Sequence, residues 1–196
     1  MSLTRMLEVT SERNPPKMKY GPAALFLMAS FLIASPAFAQ DLQATLRARA
    51  ACGSETVQFN ATADAHQHLL AQAEAGKAGV YVIGSFVGHS PAKPTVKVGV
   101  DGGWVGAIRG NSYIFTSVQP GEHHICVNWQ SGLVTPSGLF AMANFTAEAG
   151  KTYYFRARTF AETNSAPYLI DLDATNNDEG QYLVASSAIS KSHPKK

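Results

Sequence analysis

Past residue 55 the chain is written in short runs of β-prone residues separated by turn formers. Residues 95–100 (TVKVGV) alternate strictly, Asp101-Gly102-Gly103 reads as a hairpin turn, and residues 104–108 return. Further strands are expected over 78–83 (AGVYVI), 111–118 (NSYIFTSV), 123–129 (HHICVNW), 139–146 (LFAMANFT), 152–159 (TYYFRART) and 167–173 (PYLIDLD). Residues 57–60 (VQFN) make a weaker candidate, and 65–75 carry no clear period. A turn precedes several strands: Glu74-Ala75-Gly76-Lys77 before 78–83, Pro120-Gly121-Glu122 before 123–129, and Glu148-Ala149-Gly150-Lys151 before 152–159. The glycines there can take the positive φ of a tight turn. Only residues 176–187 read as a helix after the strands begin. Asn176 can cap it, and Asp178 and Glu179 suit its positive end. Tyr182, Leu183 and Ile189 are expected to pack back on a sheet.

No strand-helix alternation is present, so parallel βαβ folds are excluded. The pattern predicts an all-β protein. Its expected form is an antiparallel β-sandwich, with immunoglobulin-like or transthyretin-like layering and a short C-terminal helix. True immunoglobulin spacing is missing, because Trp129 follows Cys126 instead of lying between two cysteines.

The N-terminus has a different character. Lys17 and Lys19 precede an uncharged apolar run, residues 21–34 (GPAALFLMASFLIA), and then Ser35-Pro36-Ala37-Phe38-Ala39. Positive flank, short apolar run and small residues before the cut describe a cleavable secretory signal over 1–39. The run is shorter than the about 20 residues a spanning helix needs, so no lasting membrane anchor is expected. Nor is there a cysteine at the cut to carry lipid. Met18 opens the more ordinary signal and is the expected start. Beyond residue 39 the chain is expected to divide into an N-terminal extension (40–75), the sandwich (76–188) and a basic tail (189–196). Losing Arg5, Glu8, Glu12, Arg13, Lys17 and Lys19 takes the formal charge from +2 to zero, which leaves no general field for nucleic acid. The expected location is periplasmic or secreted.

Export changes the meaning of the two cysteines. Cys52 and Cys126 make an even pair in an oxidising compartment, which predicts a structural disulfide. It would close a loop of about 75 residues, worth roughly 4 kcal/mol in the chain-entropy picture. The alternative is a buried Cys126 thiol with Cys52 exposed. Without further Cys or His around them the pair cannot hold zinc.

Candidate chemistry is thin. His66 and His68 share a face if that stretch is a strand, a metal-compatible spacing, and one of His123 and His124 could join them. Solvated or hydrogen-bonded histidines are the plainer reading. Residues 171–175 (DLDAT) imitate a phosphatase nucleophile motif, but too little chain follows for its partners. They also lack the glycine and the bidentate glutamate of a calcium loop. No Gly-x-Ser-x-Gly elbow occurs. Trp104, Trp129, Tyr113 and Tyr153 would make an aromatic platform for sugars if they faced outward together, although core packing is the commoner use.

Four stretches resemble one family of bacterial exported proteins, domain of unknown function 2846. They are 76–82 (GKAGVYV), Val100-Asp101-Gly102 with Val105-Gly106, 110–123 (GNSYIFTSVQPGEH) and 148–154 (EAGKTYY). The resemblance supports the fold and implies no activity. It leaves a non-enzymatic exported protein, without cofactor, that binds a partner protein or envelope component. A carbohydrate-binding module and a histidine-based metal protein or enzyme are the alternatives.

Overall fold

The computed structural model describes residues 46, 49, 52–66, 71–86, 93–131, 139–161 and 168–196. The chain divides into two units, Met1–Asp41 and Leu42–Lys196, and all described residues belong to the second. The expected signal over 1–39 therefore lies outside the described residues, as does His68. Among the described residues no helix is long and apolar enough to cross a membrane.

Among the described residues from 59 onward, ten strands and one helix succeed one another: β1 (Phe59–Asp64), β2 (Ala78–Phe86), β3 (Thr95–Val100), β4 (Gly103–Arg109), β5 (Ser112–Val118), β6 (Gly121–Ser131), β7 (Phe140–Ala147), β8 (Thr152–Ala161), β9 (Tyr168–Thr175), α1 (Asn177–Ser186) and β10 (Ala188–Pro194). They form an all-β sandwich of a six-stranded sheet, β1-β10-β5-β2-β8-β9, and a four-stranded sheet, β4-β3-β6-β7. Two pairings, β2 with β8 and β10 with β5, are parallel within an otherwise antiparallel arrangement.

The parallel pair β2–β8 explains the repeated Glu-Ala-Gly-Lys turn. Parallel neighbours begin at the same level, so their entry turns lie side by side. The Gly150 N–H donates to Lys77 O and the Gly79 N–H to Lys151 O, each at 2.9 Å. In both turns the lysine returns to its own glutamate, at 2.6 Å (Lys77–Glu74) and 2.8 Å (Lys151–Glu148). Both glycines sit at positive φ, 77° and 75°, which L residues adopt reluctantly.

Alternation assigns the faces. Val80 and Val82 of β2, Val96 and Val98 of β3, Ile125 and Val127 of β6 and Phe155 of β8 meet between the sheets. The other face of β2 is buried too, because α1 lies across it. Tyr81, Ile83, Tyr113 and Tyr154 form a second cluster there with Val184, and Leu183 and Ile189 pack against it. Tyr81 and Tyr154 stack at 5.3 Å and 9°. Gly180 lets the helix settle on Tyr154, since a Cβ there would overlap the ring.

The outer face of the small sheet is covered by residues 52–58, an extended strap. Cys52 is disulfide-bonded to Cys126 of β6, with a Cα–Cα distance of 5.3 Å. Lys97 of β3, only 3% exposed, sends its ammonium to Val57 O at 3.0 Å and lies 4.3 Å above the Trp104 ring. The Trp104 indole N–H donates to Ser54 O at 2.7 Å.

Several boundaries differ from the sequence reading. The weak strand expected at 57–60 is β1, shifted to Phe59–Asp64. Residues 189–196, read as a frayed basic tail, instead supply most of β10, which pairs with β1 from Phe59↔Pro194 to Asp64↔Ile189. Lys191 is an exposed residue of that strand and reaches Asp64 at 3.0 Å, while Lys195 and Lys196 follow its end. The extension assigned to 40–75 likewise contributes β1 and the strap to the sandwich. Tyr182, expected against the sheet, is 70% exposed.

Candidate functional site

The most ordered polar geometry lies where the β3–β4 and β5–β6 turns meet. Asp101 and Gly102 have φ of 50° and 82°, the paired positive values of a two-residue hairpin turn. This aims the Asp101 carboxylate at the start of β6. Its Oδ1 accepts the His124 N–H at 2.9 Å, and its Oδ2 lies 2.6 Å from His123 Nδ1. The other ring nitrogen, His123 Nε2, lies 2.6 Å from Gln119 O. A carboxylate and a carbonyl can only accept, so both contacts are hydrogen bonds only if both nitrogens carry protons. The site therefore holds an imidazolium.

Electrostatics agree. Burial pulls the His123 pKa down, but the Asp101 bond, the Gln119 carbonyl and the Asp101 charge outweigh it and raise it above the ordinary 6.5. For Asp101, burial is outweighed in turn by the His124 N–H and by His123, and its pKa falls below 3.8. With both nitrogens committed, this histidine is a structural clip between two turns. While it carries both protons it has no free lone pair with which to act as a general base.

Behind the clip, the His123 ring lies 5.6 Å from Phe145, which in turn lies 5.1 Å from Tyr153 and from Phe155. Phe145 and Tyr153 also line a shallow groove of about 580 Å³ between the start of β8, the end of β9 and the first turns of α1. Its polar wall is Thr152, Thr175, Asn176, Asn177 and Gln181, with Lys151 at the rim. The wall is fixed by local bonds. Asn176 Oδ1 accepts the Glu179 N–H at 2.9 Å as the helix cap, and the Tyr153 hydroxyl accepts the Glu148 N–H at 3.0 Å. Rings, amides and hydroxyls fit a ligand held by stacking and neutral hydrogen bonds.

The other sequence candidates are scattered. His66 is exposed at the end of β1, and His123 and His124 point to opposite faces of β6. Among the described residues no three His, Cys, Asp or Glu side chains gather as metal ligands. The four aromatics proposed as a platform do not share a surface. Tyr113 is buried under α1, Trp129 and Tyr153 pack against the inter-sheet core, and Trp104 lies beneath the strap. Asp171 and Asp173 are both bound by Arg158, at 3.2 and 2.6 Å.

The sequence gives no sign that Asp101 pairs with His123. The residues are 22 positions apart, and only strand register brings them together. Both belong to motifs that carry the family resemblance, the Val-Asp-Gly turn and the Pro-Gly-x-His stretch, which is the one signal that points to them.

Residues 74–167 match the family model of a protein of unknown function, DUF2846. That stretch includes both Glu-Ala-Gly-Lys turns, the clip and β2 through β8, and over it the chain is similar to this family. No curated protein matches the chain.

Proposed function

We propose that this is an exported, non-enzymatic binding module that holds a partner protein of the cell envelope in the groove beside α1. The groove itself carries the reading. Its lining of aromatic rings, amides and hydroxyls suits recognition, and its one charged side chain, Lys151, is engaged with Glu148 at 2.8 Å. The histidine nearest to it is spent on Asp101 and Gln119. The disulfide supports an oxidising compartment. The apolar run before Ala39 supports export by a cleaved signal.

Two measurements test the reading. Fractionation with mass analysis of the mature chain should find it outside the cytoplasm and beginning near Gln40. Capture from envelope extract with the mature protein should retain a partner that Q181A and N177A variants lose. Cytoplasmic protein with an intact N-terminus would refute export, and capture that is empty or indifferent to both variants would refute the groove.

A further inference from the structure

Four strands end the two sheets, and three of them are guarded. An unguarded edge is a template for another strand, which proteins normally block with charge, brevity or a cover. β1 is six residues long and ends in the Asp64–Lys191 ion pair. β9 carries Asp171 and Asp173. β4 is tied to β10: the Ala107 N–H donates to Ser192 Oγ at 2.9 Å, and Ala107 O accepts from Ser190 Oγ at 2.7 Å. β7 packs against β9 of the facing sheet, but among the described residues it carries no charge of its own and no side-chain hydrogen bond ties its backbone to that sheet. Residues 139–147 (LFAMANFTA) contain no charge, no proline and no glycine, and among the described residues β7 is hydrogen-bonded as a strand only to β6. Met142, 41% exposed, stands in the middle of it.

We propose that β7 pairs with β7 of a second copy of this chain, antiparallel about a two-fold axis at Ala143. The two four-stranded sheets then become one continuous sheet. The occupant is set by self-complementarity. That axis puts Met142 opposite Asn144 and Phe140 opposite Thr146 on the outer face, and Ala141 opposite Phe145 on the core side. Each is a neutral pair, and an aromatic opposite a β-branched residue is a favourable one. The same operation on β9 would bring together two strands that each carry a pair of aspartates. The nearby charge on this edge is Arg49, whose guanidinium caps the Phe140 ring at 5.0 Å and stays on the outer face. Each copy has a single unguarded edge among those described, so the assembly closes at two instead of growing into a fibre. One strand pair is a small interface, which makes the dimer weak and concentration-dependent.

Sedimentation velocity of the mature protein over a micromolar concentration series tests this, using two double variants at exposed positions. Wild type should pass from monomer to dimer. M142K/N144K sets lysine against lysine twice across the axis and should weaken dimerisation about tenfold or more. M142K/N144E sets lysine against glutamate at the same two places and should return the dissociation constant to near the wild-type value. Thermal melts matching wild type confirm that the variants fold, and each variant remains interpretable if the other does not. A wild-type monomer at every concentration would overturn the proposal. So would a dimer that M142K/N144K leaves intact, or one that M142K/N144E weakens as strongly as M142K/N144K does.

Discussion

The two sheets are covered on their outer faces in opposite ways. The large sheet carries α1, which satisfies its own backbone and takes from the surface beneath an ion pair, Arg156–Glu179 at 2.7 Å. It offers Leu183 and Val184 to a cluster of tyrosines, and its open end is closed by Asn176. The small sheet carries a strap with few backbone bonds of its own, the Val57 N–H to Ser54 O contact at 3.4 Å among them. Side chains of the sheet add to these: Trp104 bonds Ser54 O, Lys97 bonds Val57 O, and just past the strap Gln130 bonds Phe59 O of β1 at 2.8 Å. A buried ammonium is costly in apolar surroundings. Burial lowers the Lys97 pKa below its usual 10.5, with Glu55 opposing the fall. The cation is held there by two strap carbonyls, Val57 O at 3.0 Å and Glu55 O at 3.5 Å, and by the face of Trp104 from β4. The helical cover rests mainly on packed rings with an ion pair to Arg156, whereas the strap draws on a buried cation and an indole N–H inside the surface it hides.

The disulfide provides the largest test of that contrast. C52S/C126S should lose about 4 kcal/mol, the chain-entropy value for a loop of this length. Urea melts would measure the loss, and hydrogen exchange should place the first opening in residues 52–58 with α1 still protected. Equal loss of protection in both covers would mean that they fail as one unit and would break the comparison.

Lys97→Met isolates the polar requirement. It keeps the stem that packs on Trp104 but leaves Val57 O without a donor, and should cost about 2 kcal/mol. A neutral or stabilising result would show that the strap does not need its cation. On the helical side, Asn176→Ala removes only the cap and should cost about 1 kcal/mol. Helical circular dichroism should fall a little, while the fluorescence of Trp104 under the strap stays unchanged.

Much of this arrangement is legible in the sequence, for physical reasons that vary by residue. Period-two alternation locates β3, and aromatic and β-branched runs delivered by tight turns locate β5 and β8. Asn176 announces α1 because a cap is a local device. Residues 189–196 mislead because β10, an interior strand between β1 and β5, carries a lysine, two serines and a histidine, a composition shared with a frayed tail. Lys97 gives no warning either. Within TVKVGV it reads as the polar, outward half of an alternating strand, and its burial depends on a strap 40 residues away in sequence. The His123–Asp101 clip is hidden for the same reason, since side-chain chemistry set by strand register leaves no local pattern.

The clip supplies the smallest and most specific test, because it bears on one cover and not the other. Its Asp101–Gly102 turn lies directly under the strap, where a Cβ built on Gly53 would come within 3.0 Å of Gly102 O. The folded pKa of His123 is raised, so its contribution to stability is complete below about 6.5 and is lost as pH rises through the folded value. Asp101 works in the other direction. With its folded pKa lowered, its contribution is present above 3.8 and is lost as pH falls through the folded value. The stability difference between wild type and H123Q should therefore be widest in mildly acidic solution and should narrow as pH rises through the raised folded value. Exchange in the strap should rise with that narrowing, after correction for the intrinsic pH dependence of exchange, while α1 stays level. Nitrogen chemical shifts of the ring give a direct reading, with both nitrogens protonated at about pH 6.5, the ordinary midpoint of a free histidine. A ring that is already half neutral there, or strap exchange that ignores pH, would leave His123 as a packed side chain and detach the turn from the cover above it.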